Sequence, residues 1–185
     1  MRINNEIYKL NALELAPLLL GKILCRNIDG KIIKARIVET ESYFGFEDSA
    51  SHAHRGKTER NKIMFKSGGY TYIYLCYGMH NLLNIVSGKK DHPEAVLIRG
   101  AVLESFKTNF PNLYNKKCKD NLNGPAKLTK ALRIDRSLND ENLKTSKKFW
   151  IEDDNFSCEY ISLKRVGIDY ATEEYRNKLW RFKVK

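Results

Sequence analysis

The segment KIIKARIVETESY, residues 31–43, decides the fold and carries the first sign of chemistry. Read as a strand of period two, it lines one face with Ile33, Ala35 and Ile37, and the same face continues into Glu39, Glu41 and Tyr43. A carboxylate on the apolar face of a strand is costly to bury unless it is paired or put to use. At least one of the two glutamates is therefore the leading catalytic candidate. On these two residues alone, a strand that leaves the core after Val38 and solvates both acids is the better account.

Outward from this strand, Asp29-Gly30 is a two-residue hairpin signal, which predicts an antiparallel neighbour over residues 22–27. Asn11 with Glu14 reads as a helix start with a capping box, and Leu13, Ala16 and Leu20 are expected to share a face. Pro17 leaves one helix and two short turns equally open. Residues 44–57 lack periodicity and read as a loop that leaves the end of the Glu41 strand, well placed to wall a pocket. His52 and His54 lie in it, and loop histidines by themselves say little. Residues 58–66 are expected to form a short helix from a Thr58 cap, ended by Gly68-Gly69.

The second informative stretch is 70–86, where Tyr70, Tyr72 and Tyr74 alternate with Thr71, Ile73 and Leu75 as in a half-buried strand. Tyr77-Gly78-Met79-His80 follows as a turn, and residues 81–86 return as a strand, so Tyr77 falls at a hairpin tip with little core to enter. Residues 94–102 form an apolar strand interrupted by Arg99, and a buried arginine needs an anion. A carboxylate of the 31–43 strand or a nucleic-acid phosphate serves equally. Residues 104–123, with Lys116-Lys117-Cys118-Lys119, read as a loop or insertion. Gly124-Pro125 opens a helix expected over 126–134, with Leu128, Ala131 and Leu132 inward and Lys127 and Lys130 outward. A helix start with those lysines nearby suits a phosphate, although a solvated amphipathic face explains the same letters. Residues 149–152, 160–166 and 179–184 read as further strands.

With 185 residues, 42% of them hydrophobic, the chain is long enough for one real core and too short for two ordinary domains. Thirty-three Lys and Arg against 22 Asp and Glu give a net charge of +11, a footprint of a protein that meets a polyanion or of a surface kept soluble by lysine. Cys25, Cys76, Cys118 and Cys158 have neither C-x-x-C spacing nor clustering with histidine, which argues against a zinc site or redox pair. Residues 1–10 lack an apolar signal region, and 15–20 are too short to span a bilayer. The expected compartment is the cytoplasm, in association with the nucleoid if the source is bacterial, and no membrane partner is expected.

The letters become more specific when taken together. The runs IVETESYFGFEDSASHAHRGKTERNKIMF, YTYIYLCYGMHNLLNIVS, AVLIRGA, GPAKLTKALRI and RVGI, in this order, resemble the alkyladenine (3-methyladenine) DNA glycosylase family along nearly the whole chain. The resemblance implies a monofunctional enzyme that flips alkylated or deaminated purines out of duplex DNA and hydrolyses the N-glycosidic bond, leaving an abasic site. On matching positions, Glu41 is the general base, and Arg99 and the Val166 carbonyl hold the catalytic water. Tyr43, His52 and Tyr74 sandwich the base, while Asn84 disfavours guanine through its exocyclic amine. Tyr77, with Met79 beside it, inserts into the duplex. The implied chemistry uses no metal or other cofactor and no lysine nucleophile. The partner is double-stranded DNA containing damaged purines.

Ser67-Gly68-Gly69 departs from the family's Pro-Gly turn and predicts a looser entry to the Tyr77 hairpin. The expected architecture is a single α+β domain over residues 1–185, a monomer, with a curved, mainly antiparallel sheet surrounded by short helices and a projecting β-hairpin. Two competing readings remain at this stage. A non-catalytic nucleic-acid-binding module explains the charge but not Glu41 and Arg99, and a nucleoside hydrolase has little use for Tyr77.

Overall fold

A computed structural model describes residues 1–104 and 121–185. Its framework is one curled, antiparallel sheet with a few short helices, an α+β arrangement. The hairpin of β1 (Ile23–Ile28) and β2 (Lys31–Phe44) turns at Asp29-Gly30, both at positive φ. Next come β3 (Thr71–Cys76), β4 (His80–Val86), β5 (Glu94–Leu103) and β6 (Asn121–Asn123), then β7 (Phe149–Glu152), β8 (Tyr160–Leu163) and β9 (Arg181–Val184). The main path runs β3-β4-β5-β2-β1-β7, with β6 on β5. One edge of β2 holds β5 along almost its full length, and the other is shared by β1 and then β9. β9 in turn carries β8.

β2 does not leave the core after Val38: Glu39 is 3% exposed and Glu41 0%. Its other face is buried as well, because α1 (Ala12–Leu18) lies across it. Thr40 Oγ1 donates to the Ala16 carbonyl at 2.9 Å and Ser42 Oγ to that of Ala12 at 2.7 Å, so two polar side chains are satisfied beneath a helix. The Asn11–Glu14 capping box forms, and Pro17 sits within a single helix. The buried stripe is Ala12, Leu15, Ala16 and Leu19 rather than one including Leu13, which is only partly covered.

Other boundaries differ for local reasons. Residues 58–66 give only a 3-10 turn, Lys62–Phe65, because the Asn61 side chain takes the Thr58 N–H and donates to the His52 and Gly56 carbonyls, which fixes a loop. α2 spans Pro125–Ala131, shorter than expected. Ala131 is exposed, and Thr129 is buried instead, with its hydroxyl on the Asn81 carbonyl at 2.7 Å. β6 occupies the end of the expected 104–123 loop, and the Lys116–Lys119 cluster and Cys118 lie outside the described residues. β8 stops at Leu163 because Arg165 turns inward, and β9 starts two residues late, after the unanticipated helix α3 (Glu173–Asn177). The entry to the Tyr77 hairpin is tight: Gly68 and Gly69 donate to the Gly88 and Val86 carbonyls, and a Cβ on Gly68 would sit 1.9 Å from the Tyr8 carbonyl oxygen.

Arg165 is the tie between two loops. Its side chain, like that of Asp48, is 0% exposed, and its guanidinium grips the carboxylate through bonds of 2.5 and 2.8 Å while donating to the Ser42 carbonyl. The same cation lies between the rings of Tyr43 and Trp180, at 4.9 and 5.0 Å from their centroids. Removing one partner of a buried pair strands the other charge, which typically costs about 3–5 kcal/mol. Asp48→Ala is therefore expected to lower denaturant stability by about that amount. The double change Asp48→Leu with Arg165→Met is expected to recover most of it, and both are read from chemical unfolding.

Candidate active site

The site forms where β2, β3, β4 and β5 meet the loops 45–57 and 164–171. A cavity of about 630 Å³ opens there, lined by Tyr43, His52, Tyr74, Asn84, Arg99 and Val166, with Tyr77 at its rim. This is the size range of a small-ligand pocket. Every residue expected to hold a base or a water therefore shares one cavity or, in the case of Glu41, touches its wall.

Glu41 and Tyr43 are two residues apart on β2 and so point the same way. One Glu41 carboxylate oxygen accepts the Val166 N–H at 2.9 Å and lies 3.4 Å from an Arg99 amino group, and the other accepts the Tyr43 hydroxyl at 3.1 Å. Burial pushes the Glu41 carboxyl above its usual range, and Arg99, the Val166 N–H and Tyr43 pull back without cancelling that rise. Val166 thus contributes its N–H to the Glu41 carboxylate. Glu39, two residues earlier on the same strand, is buried as well, accepting from Arg99 Nε at 3.1 Å and from Arg181 at 3.0 Å.

The aromatic wall rests on β3 and the His52 loop. Tyr72 and Tyr74 share a face of β3, and the His52 ring meets that of Tyr74 edge-on at 4.4 Å. His52 Nδ1 lies 2.9 Å from the Tyr72 hydroxyl, and burial, followed by the charge of Arg60, lowers its pKa to about 4. The imidazole is therefore neutral at physiological pH. Asn84 stands opposite Tyr72 in the ladder, buried, its amide on the Tyr72 carbonyl at 3.1 Å.

At the hairpin tip, Tyr77 has φ 49° and Gly78 φ 70°, and Tyr77 is 85% exposed. A left-handed conformation at a bulky residue is uncommon, and here it points a ring into solvent beside the cavity. Met79, also exposed, turns to the other side of the tip, into a groove of about 300 Å³ shared with Lys127 and Lys130 of α2. The two lysines thus lie with the hairpin and apart from the cavity floor.

Four contributors escaped the sequence reading. Tyr72 was legible only as core packing, and Tyr170, whose hydroxyl donates to the Ala50 carbonyl at 2.8 Å, followed no periodic pattern. Arg60, over the Tyr74 ring at 5.4 Å, and Arg181 on β9 carried no distinguishing signal in the sequence. Among the described residues no group of three or more His, Cys, Asp or Glu is arranged to hold a metal ion, and no helix is long and apolar enough to cross a membrane.

Comparison with known proteins gives a consistent result. The family described as methylpurine-DNA glycosylase matches residues 6–185. A protein of Natranaerobius thermophilus is 44% identical over 191 residues, covering 100% of this chain and 96% of its own length. One of Clostridium botulinum is 43% identical over 195 residues, with the same coverage, and one of Borrelia garinii is 44% identical over 177 residues, covering 95% of this chain and 91% of its own. All three are provisionally named 3-methyladenine DNA glycosylase. With the family pattern running through every element that builds the cavity, the chain belongs to the methylpurine-DNA glycosylase family.

Proposed function

We propose that the protein flips methylated and deaminated purines from duplex DNA into the aromatic cavity and hydrolyses their glycosidic bond with a water activated by Glu41. The observation that carries this reading is the fully buried Glu41 carboxylate, held by Arg99, Val166 and Tyr43 at the wall of a base-sized cavity. A module that only binds nucleic acid gains nothing from burying that charge.

Extracting a base costs a few kcal/mol, least for a damaged one, and stacking returns about 1–3 kcal/mol per ring. Tyr43 and the pair His52 and Tyr74 supply the stacking faces, and the neutral imidazole accepts an electron-poor alkylated base without charge repulsion. Asn84 crowds the 2-amino group of guanine. Tyr77 fills the vacated place in the stack, Met79 on the other side of the tip contacts the duplex, and Lys127 and Lys130 beside it meet backbone phosphates. As the C1′–N bond breaks, its electron pair leaves with the purine. Water, held by Arg99 and the Val166 carbonyl, attacks C1′ and gives its proton to Glu41. The product is an abasic site, and the cavity, Glu41 and Tyr77 all come from one chain, as a monomer requires.

Three outcomes test the reading on duplex DNA carrying 3-methyladenine or hypoxanthine, with abasic sites scored by alkaline cleavage under single-turnover conditions. Glu41→Gln is expected to slow release by about 10²–10⁴-fold while DNA binding persists, and release at the parent rate refutes the assignment. Because Glu41 must be ionised and its carboxyl is raised by burial, parent activity is expected to fall with decreasing pH at a point above the ordinary glutamate value of about 4.3. That acid limb is absent if another group is the base. Tyr77→Ala is expected to weaken action on duplex by about 5- to 150-fold, the worth of one stacking ring, with a much smaller loss on single strands. Equal losses on both substrates argue against the wedge.

A further inference from the structure

Glu39 has no place in the reaction just described, yet it is as deeply buried as the base beside it. Its side chain is 4% exposed, and one of its oxygens accepts from two arginines, Arg99 Nε at 3.1 Å and Arg181 at 3.0 Å. Arg99, with 16% of its side chain exposed, reaches from Glu39 to within 3.4 Å of Glu41 and lines the cavity. The four groups alternate in sign, with Arg99 shared between the two acids.

The backbone is shaped around this arrangement. The β2–β5 ladder pairs Ile37 with Ala101, then Glu39 with Gly100, then Thr40 with Ile98, so the register breaks at Arg99. Such an irregularity re-aims a side chain. Gly100 stands opposite Glu39, and a Cβ there would touch the Glu39 Cβ at 3.4 Å, an ordinary contact distance. On the other edge, β9 sets Lys183 opposite Glu39 and Arg181 opposite Glu41.

We propose that Glu39, clamped by Arg181, is a positioning residue that holds Arg99 by Nε, so that the guanidinium presents one amino group to Glu41 and its remaining surface to the cavity. This rests on Glu41 as the base. Without Glu39, Arg99 would swing fully onto Glu41 as the nearest buried carboxylate, pairing with both its oxygens and leaving the water without its partner. Glu41 is otherwise faced by Tyr43 of β2, Arg165 and the Val166 N–H of the following loop, Tyr74 of β3 and Tyr170, and none of these can take up Arg99. Removing the like charge and tightening the Arg99 pair both favour ionised Glu41, so the acid limb moves to lower pH. A base held in that way is also weaker.

The test compares the parent, Glu39→Gln, Glu39→Ala and Glu41→Gln on methylated duplex DNA. Single-turnover release, affinity for undamaged duplex and thermal unfolding are measured across pH. Glu39→Ala is expected to lose about 10- to 100-fold in release, with affinity nearly unchanged and the acid limb shifted down. Glu39→Gln keeps an oxygen for both arginines but not the charge, and is expected to lose less rate with the same direction of shift. Should the alanine variant fail to fold, the glutamine variant alone decides the matter through its limb. An inactive Glu41→Gln together with an unmoved limb in the Glu39 variants overturns this inference only. Full activity in Glu41→Gln overturns the base assignment and this inference with it.

Discussion

A carboxylate with no solvent contact is the constraint that the rest of the structure answers to. Glu41 sits on a strand buried on both faces, between α1 and the cavity, where an uncompensated charge would be several kcal/mol unfavourable. The compensation comes from four directions: Arg99 of β5, the Tyr43 hydroxyl of its own strand, the Val166 N–H and, further off, Arg165. Each compensating group is in turn fixed by something else. Arg165 is locked to Asp48, Arg99 to Glu39, and Glu39 to Arg181. The burial still dominates, so the carboxyl is left more basic than a free glutamate, which suits proton transfer from water.

The cavity and the hairpin divide the remaining work by stiffness. The aromatic wall is cross-braced through the His52–Tyr72 contact and the Asn84 amide, which fix its rings in place. The hairpin tip is built differently, with its exposed ring carried on a strained turn whose entry is pinned by close backbone contacts at Gly68 and Gly69. A rigid base under an unsupported ring fits the entry into the duplex proposed for Tyr77.

Local signals in the sequence were legible where neighbours along the chain decide the outcome. The Asp29-Gly30 turn, the Asn11–Glu14 box and the alternation through Tyr70–Leu75 all depend on residues a few positions apart, and all three formed. The burial of the β2 face bearing Thr40 and Ser42 carried no local signal, because it depends on carbonyls of α1 that accept both hydroxyls. Periodicity likewise could not choose between Glu39 and Glu41, since the choice rests on which arginine edge and which backbone N–H reach them. The Arg165–Asp48 pair joins positions 117 residues apart, beyond any window over which spacing carries information. The choice of Glu41 over Glu39 came from the family resemblance, through the order of its motifs, and not from spacing.

The separation of these partners has a consequence for biosynthesis. Glu39 and Glu41 are translated early, while the Val166 N–H that binds Glu41 lies 125 residues downstream and the Arg181 that binds Glu39 lies 142 residues downstream. A nascent chain on the ribosome therefore carries both acids for a time with Arg99 and Tyr43 but without the Val166 N–H and Arg181. Non-local pairing of this kind is slow to form and closes late. The β2 edge that receives β9 stays open until β9 has been made, so the Arg181–Glu39 pair is among the contacts that close late.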